Sequence, residues 1–381
     1  MGVEIFIAVA LSQWVLLLLS KYGVPDIPIY VIAGMVLGNS CFTDQSLNDF
    51  LAEIVLIFLF FYAGVNVNME SVRRYLREAL SLTLCGVTLT VVMVSSLLVY
   101  LGVDLITSLL VGVALANTAT EVAVVTLRES RVDLIEFRNL VIAASFMDDL
   151  LLVVLIALTQ STVFKTPLTQ GLSTVLLHVL FLAVPMLVSL TMSRRVSKVS
   201  WEGYVTFASA LAFTTIFLAS RVGVSEYFGV YVAGLTLSLL RLGRDPTLSY
   251  STKLYSLLEH LTTMLRFFVT PFFFVIIGTY LNTSFIFNVY TPVLLATAFI
   301  GKFLGFLIYA RVAMNLRTEE SVLGGLVMNS RGSIESALAL TAFTSGIIFK
   351  ELFHGIIAVT VLSSIITPLM IRLIINARSI Y

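Results

Sequence analysis

The sequence predicts an all-α membrane protein of about thirteen transmembrane helices, in which helices 1–6 and 8–13 form an inverted repeat. Three observations carry that expectation. Of the 381 residues, 59% are hydrophobic and only 12% are charged, with a mean hydropathy of +1.02. A soluble domain runs near half apolar and about a quarter charged, so this composition excludes an ordinary water-soluble enzyme. At roughly 20 apolar residues per span, the length is consumed by about a dozen spans, and no soluble domain is expected. The second observation is a series of thirteen apolar runs, and the third is where the basic residues fall between them.

The runs follow one another at 2–21, 26–38, 50–66, 78–101, 104–127, 137–160, 171–192, 201–220, 224–240, 264–282, 291–311, 320–345 and 354–376. The first carries Glu4 and Gln13 and has no basic residue ahead of it, which reads as a span rather than a cleaved leader. The second is the weakest, because Pro25 and Pro28 open it and Gly34 and Gly38 follow; without it the count is twelve. With the N-terminus outside, 17 of the 23 Lys and Arg residues fall on the cytoplasmic side and 3 (Lys165, Arg221, Lys350) on the other. Positive charge collects on the cytoplasmic side, so the split supports thirteen spans, the N-terminus out and the C-terminus in.

Thirteen spans divide as six, one and six, so the two sets of six enter the membrane in opposite senses. That is the pattern of an inverted-repeat secondary transporter, whose site lies where helices at matching positions are interrupted. The fifth span is interrupted by Asn117-Thr118-Ala119-Thr120-Glu121 and its mate, the twelfth, by Asn329-Ser330-Arg331-Gly332-Ser333-Ile334-Glu335. Irregular backbone at that depth is tolerated beside a cavity. The repeat rests on this topology, since no residue-level similarity joins the halves.

The sixth span has one polar cluster at its middle, Ser145-Phe146-Met147-Asp148-Asp149. An ionised carboxylate there costs about 2.5–3.5 kcal/mol on the insertion scale, so two in succession need a role. Neighbours on a helix point about 100° apart, so the two carboxylates take different partners. Ser145, one turn before Asp149, shares its face and offers a hydroxyl. With free carbonyls of an unwound helix, this oxygen set suits a hard cation. Lys302, in the middle of the eleventh span, lies too deep to snorkel, and either aspartate is available to it. A buried lysine and carboxylate form a plausible proton carrier, and a purely structural pair is the competing reading.

Glu121 and Arg331 lie in the two interruptions, where a charge offsets the partial charges of broken helix ends. Glu335 stands four residues after Arg331 and either pairs with it or is a solvated charge on a cavity wall. Asn117, Thr118, Thr120 and Ser333 are recommended by their place in a break. Cys41 and Cys85 suggest neither a disulfide framework nor a thiolate site. His178, His260 and His354 have no ligand spacing. No cofactor is implied, and a net charge of +1 gives no reason to expect nucleic acid.

In this order and spacing the chain resembles the monovalent cation:proton antiporter superfamily, closest to its second branch of Kef-type and NapA-like sodium/proton antiporters. The resemblance covers nearly the whole chain. It rests on the stretch from Pro25 through Ala33-Gly34-Met35-Val36-Leu37-Gly38, the run Leu51 to Gly64, Thr118-Ala119-Thr120, Met147-Asp148-Asp149, Phe272 to Gly278, Gly301-Lys302 and Arg331-Gly332. It implies two crossed broken helices, the fifth and twelfth, in a core domain made of helices 4–6 (about 78–160) and 11–13 (about 291–376). That core would move against a dimerisation domain made of the remaining helices, in a homodimer of the cell (inner or plasma) membrane.

The same resemblance implies exchange of Na+ or Li+ for H+ by alternating access, in the service of pH homeostasis. Asp149 would be the ion- and proton-binding aspartate. Asp148 and Lys302 would be the pair associated with electrogenic members. Thr120 and Ser145 match sodium-binding positions of the first branch, and Glu121 an acidic residue there. Ser333 departs from the family's usual glutamate after Arg-Gly, and Glu121 stands where NapA-like proteins tend to have a small polar residue. Both departures bear on ion preference. A K+/H+ antiporter or a Kef-type potassium efflux system is the alternative, although the nucleotide-binding domain that Kef-type members often carry does not follow the last helix before Tyr381. An intramembrane aspartyl protease needs carboxylates converging from separate segments, which neighbours on one helix do not supply.

Overall fold

The computed structural model describes residues 3–19, 25–38, 45–119, 135–163, 176–178, 180–196, 198–240, 249–282 and 287–378. Its elements are α1 (Val3–Leu19), α2 (Asp26–Gly38), α3 (Gln45–Asn66), α4 (Met69–Arg74), α5 (Leu76–Tyr100), α6 (Leu105–Leu115), α7 (Ile135–Val163), α8 (Ala183–Val196), α9 (Trp201–Val222), α10 (Glu226–Leu240), α11 (Ser249–Thr279), α12 (Tyr290–Val312), α13 (Thr318–Val327), α14 (Ser333–Thr344) and α15 (Lys350–Arg378). Among the described residues α5, α9, α11, α12 and Lys350–Ile371 of α15 are long and apolar enough to cross a membrane. Glu4–Leu19, α2, Phe50–Asn66, α6 and α10 are shorter apolar helices. The protein is an all-α, multi-spanning membrane protein.

Two boundaries differ from the sequence reading for identifiable reasons. The tenth apolar run spans 264–282, yet α11 is helical from Ser249. Its first half, with Lys253, Glu259 and His260, is amphipathic rather than apolar, so a search for apolar runs passes over it. It continues through a π turn at Leu265–Val269. In the twelfth run the break is shorter than expected: α13 ends at Val327 and α14 resumes at Ser333, so Ser333, Ile334 and Glu335 are helical.

The chain forms two compact units, one of Met1–Phe50, Arg74–Leu152 and Pro271–Tyr381, the other of Leu51–Arg73 and Val153–Thr270. In the first, α5 and α12 cross almost backbone to backbone. A Cβ on Gly305 would lie 2.5 Å from Gly86 Cα and one on Gly301 would lie 2.7 Å from Thr90 Cα, so the approach depends on small residues, as is common between helices in lipid. The α6 helix starts at Asp104, whose carboxylate accepts the Thr107 N–H at 2.9 Å. That hydrogen bond holds the Asp104 carboxyl below its ordinary range. It lies along α5, where Ser95 Oγ donates to Ser108 O at 3.0 Å. Thr83 Oγ1 donates to Ala144 O at 2.8 Å and ties α5 to α7.

The second unit is centred on Val65, Tyr204, Ala208, Leu237, Leu240, Tyr250, Leu254 and Leu257. Tyr250 donates to Leu237 O at 2.6 Å and its hydroxyl lies 3.3 Å from that of Tyr204. Leu237 lies near the end of the described α10, and the tyrosine gives its carbonyl a hydroxyl donor. In both units large apolar side chains remain outside, among them Trp14, Leu18, Phe213 and Val312, a surface suited to acyl chains rather than water.

Candidate ion-translocation site

The site is assembled where two helices stop. After α6 the chain leaves helical geometry at Ala116–Ala119, and after α13 it does so at Met328–Gly332. Asn, Ser, Thr and Gly are weak helix formers, and here their backbone groups bond across the two breaks. The Ala119 N–H donates to Ser330 O at 2.9 Å, and Ser330 Oγ lies 2.8 Å from Val327 O and 3.3 Å from Ala119 O. A Cβ on Gly332 would come within 2.9 Å of Ala119 Cβ.

Broken helices leave carbonyls at one end and N–H groups at the other without partners, and buried charges meet both. Arg331, 1% exposed, donates to Leu115 O and, at 2.7 Å, to Asn117 O. Lys302, also 1% exposed, donates from Nζ to Ala116 O at 2.7 Å. Two cations therefore sit at the carbonyl end of α6, where the helix dipole is negative. At the opposite kind of end, the Gly332 N–H donates to Glu335 Oε1, which places a carboxylate on the positive start of α14. Arg331 and Glu335 are thus directed to separate helix ends; neither forms an ion pair with the other.

Asp148 and Asp149 lie inside α7 and are both buried. Lys302 Nζ meets Asp148 Oδ2 at 2.6 Å. Thr118 Oγ1 stands 2.6 Å from the same carboxylate oxygen and 2.8 Å from Met328 O, with one proton to give. Gly86 on α5 leaves the corridor for the lysine, since a Cβ there would touch Lys302 Cδ at 3.4 Å. Ser145 does not direct its proton to Asp149: its hydroxyl donates to Val141 O at 3.0 Å and lies 3.5 Å from Met328 Sδ. The i−4 carbonyl is the acceptor closest at hand for a mid-helix serine. Asn117 is fully buried beside Glu335, and Ser333, half-buried, is the first residue of α14. Thr120 and Glu121 lie outside the described residues.

Several participants escape a reading of side chains. Ala116, Leu115 and Met328 act through carbonyls, and Ser330 through both its carbonyl and hydroxyl. The only sequence signal for the first three is that they end a helix.

A family comparison decides the assignment: residues 6–377 match the family described as sodium/hydrogen exchanger, transmembrane. The chain belongs to that family. This exchanger is 25% identical over 376 residues to the "Probable Na(+)/H(+) antiporter 3" of Methanocaldococcus jannaschii, covering 95% of this chain and 93% of that one. It is 25% identical over 374 residues to the Na(+)/H(+)-K(+) antiporter GerN of Bacillus cereus, covering 94% and 92%. Its fold matches the solved sodium proton antiporter MjNhaP1 of M. jannaschii with a TM-score of 0.75, at 19% identity, over 97% of this chain and 94% of that one. The exchanger is a secondary active antiporter of sodium and protons, working by alternating access, and not a catalytic enzyme.

Proposed function

We propose that Asp149 is the carboxylate for which sodium and a proton compete, and that the Asp148–Lys302 pair carries a further proton that makes the exchange electrogenic. The observation that carries this reading is the pair itself, 2.6 Å long and 1% exposed beside the interruption at Ala116–Ala119, with a second buried carboxylate next to it in the chain. A site that holds either ion but not both couples the two fluxes when each form drives the same rearrangement. When the cation draws Asp148 away from Lys302, the ammonium releases its proton, so two protons exchange for one sodium. A permanently charged Lys302 gives one-for-one, electroneutral exchange.

The carboxylate doublet with its lysine supports placement in the second, NapA-like branch, and the two matching breaks support thirteen spans in an inverted repeat. The basic-residue split supports an outside N-terminus and a cytoplasmic C-terminus in the cell membrane. Helices 4–6 and 11–13 would form the moving core, and the remaining helices the interface of a homodimer. Lithium is expected to replace sodium. Potassium exchange is the second reading, favoured by the name of GerN, whose relative this chain is.

The test is reconstitution with proton flux followed by dye under lithium, sodium and potassium gradients in turn, paired with solid-supported-membrane current on a sodium jump. Sodium should drive both flux and current. Flux without current, unaffected by a potassium/valinomycin clamp, removes the electrogenic reading and leaves the exchange; a response to potassium alone replaces sodium as the cargo.

A further inference from the structure

The first turn of α14 holds a carboxylate whose two oxygens have different surroundings. Glu335 Oε1 accepts the Gly332 N–H, whereas Oε2, in a side chain of 0% exposure, has no hydrogen bond. The Asn117 amide, 1% exposed, lies within hydrogen-bonding range of the Glu335 carboxylate, although neither its Nδ2 nor its Oδ1 makes a well-formed hydrogen bond. Buried polar groups are nearly always bonded, so two such groups side by side call for a role beyond capping.

The charged surroundings are few. Arg331 is the nearest charged side chain, and its guanidinium is engaged by the carbonyls of Leu115 and Asn117. The α6 helix has no titratable side chain. The α15 helix approaches at Thr360, 3.5 Å from Ser336, with Lys350, Glu351 and His354 toward its start and Arg372 and Arg378 toward its end.

We infer that Glu335 Oε2 is a second protonation site of the transport cycle, with Asn117 as its positioning residue. A hard cation gathers several oxygens, and this pair offers one carboxylate oxygen and one amide oxygen, which suits a proton. The amide serves both states. With Glu335 protonated, Oε2–H donates to Asn117 Oδ1; with Glu335 ionised, a half-turn about the terminal torsion presents Nδ2 as the donor. The proton comes from water and returns to it, and only the O–H bond is made or broken. It also alters the local charge. Among the described residues the buried cluster sets three carboxylates (Asp148, Asp149, Glu335) against two cations (Lys302, Arg331). An ionised Glu335 adds to the negative potential that a cation meets at Asp149, and protonation removes that contribution. Protonation of Glu335 therefore weakens sodium binding at Asp149 from a distance.

This inference rests on the antiport reading for its consequence, but its first test does not. Infrared difference spectra of the purified full chain, titrated in pH without sodium, read carboxylic-acid carbonyl bands directly. One titrating band should vanish in Glu335→Gln, which keeps an oxygen for the Gly332 N–H, and shift in Asn117→Leu. Spectra unchanged by both substitutions overturn the assignment, and if Glu335→Gln does not fold, an unshifted band in Asn117→Leu overturns it alone. In proteoliposomes, Glu335→Gln should raise the apparent sodium KM about fivefold at alkaline pH, the scale of one partly screened charge, and flatten its pH dependence. A wild-type KM profile also overturns the inference. Absence of sodium-driven flux in the unmodified protein would instead strike the antiport reading and leave the infrared result standing.

Discussion

The unit of Met1–Phe50, Arg74–Leu152 and Pro271–Tyr381 buries Asp148, Asp149, Lys302, Arg331 and Glu335, whereas the described interior of the other unit holds hydroxyls and the His178 imidazole as its polar groups. In the charged interior four of these five ions answer a helix end or another ion: Lys302 answers Ala116 O and Asp148, Arg331 the carbonyls of Leu115 and Asn117, Glu335 the Gly332 N–H. In the uncharged one, Tyr250 donates to Leu237 O with a neutral hydroxyl. A neutral donor satisfies a carbonyl without the cost of burying charge. Charge in the first interior thus exceeds what a helix end needs, which fits the proposal that ions are handled there.

The sharpest test of that contrast is Asp149→Asn, which should abolish sodium-dependent proton flux while the purified protein stays folded and monodisperse. Normal flux would detach transport from the charged cluster. Next in size, Asp148→Ala or Lys302→Ala strands a buried charge and should lower stability by about 3–5 kcal/mol, read as thermal unfolding in detergent. The double substitution should cost less than the two singles together, and strict additivity would mean that the contact carries no coupling.

In the other unit Tyr250→Phe removes a buried hydrogen bond to Leu237 O and should cost about 0.5–1.5 kcal/mol, with flux per folded molecule unchanged; a selective loss of flux would show that the uncharged interior also takes part in exchange. The smallest effect is expected at Asp104, the exposed cap just ahead of α6. Replacing this cap with Ala should cost about 1 kcal/mol. Because its carboxyl is held below the ordinary range, the contribution is present above about pH 4 and fades as pH falls through the lowered value. Equal melting of wild type and Asp104→Ala at neutral pH would remove it.

Much of this was legible in the residues because lipid leaves little room for unexplained polarity. Asp148, Asp149, Lys302 and Arg331 each interrupt an apolar run, and the cost of burying them there points to a site. The partners were harder to read. Lys302 had two adjacent aspartates to choose from, and only the path past Gly86 and the position of Ala116 O bring it to Asp148. Carbonyl acceptors such as Leu115 and Met328 leave no mark in side-chain chemistry. Ser145 shares a face with Asp149, but the backbone of its own helix supplies the nearer acceptor. The first half of α11 leaves no apolar run, because its apolar residues form a stripe.

The hydroxyl of Thr118 belongs to one break, and Met328 O to the start of the other, while Asp148 Oδ2 stands on a third segment. A single hydrogen atom serves two oxygens and can be given to one at a time. Whenever the carboxylate holds it, the seam between the interrupted helices is one fastening short; whenever the carbonyl holds it, the carboxylate keeps Lys302 but loses the threonine. Occupancy at the ion pair and the looseness of the joint are therefore set by the same atom.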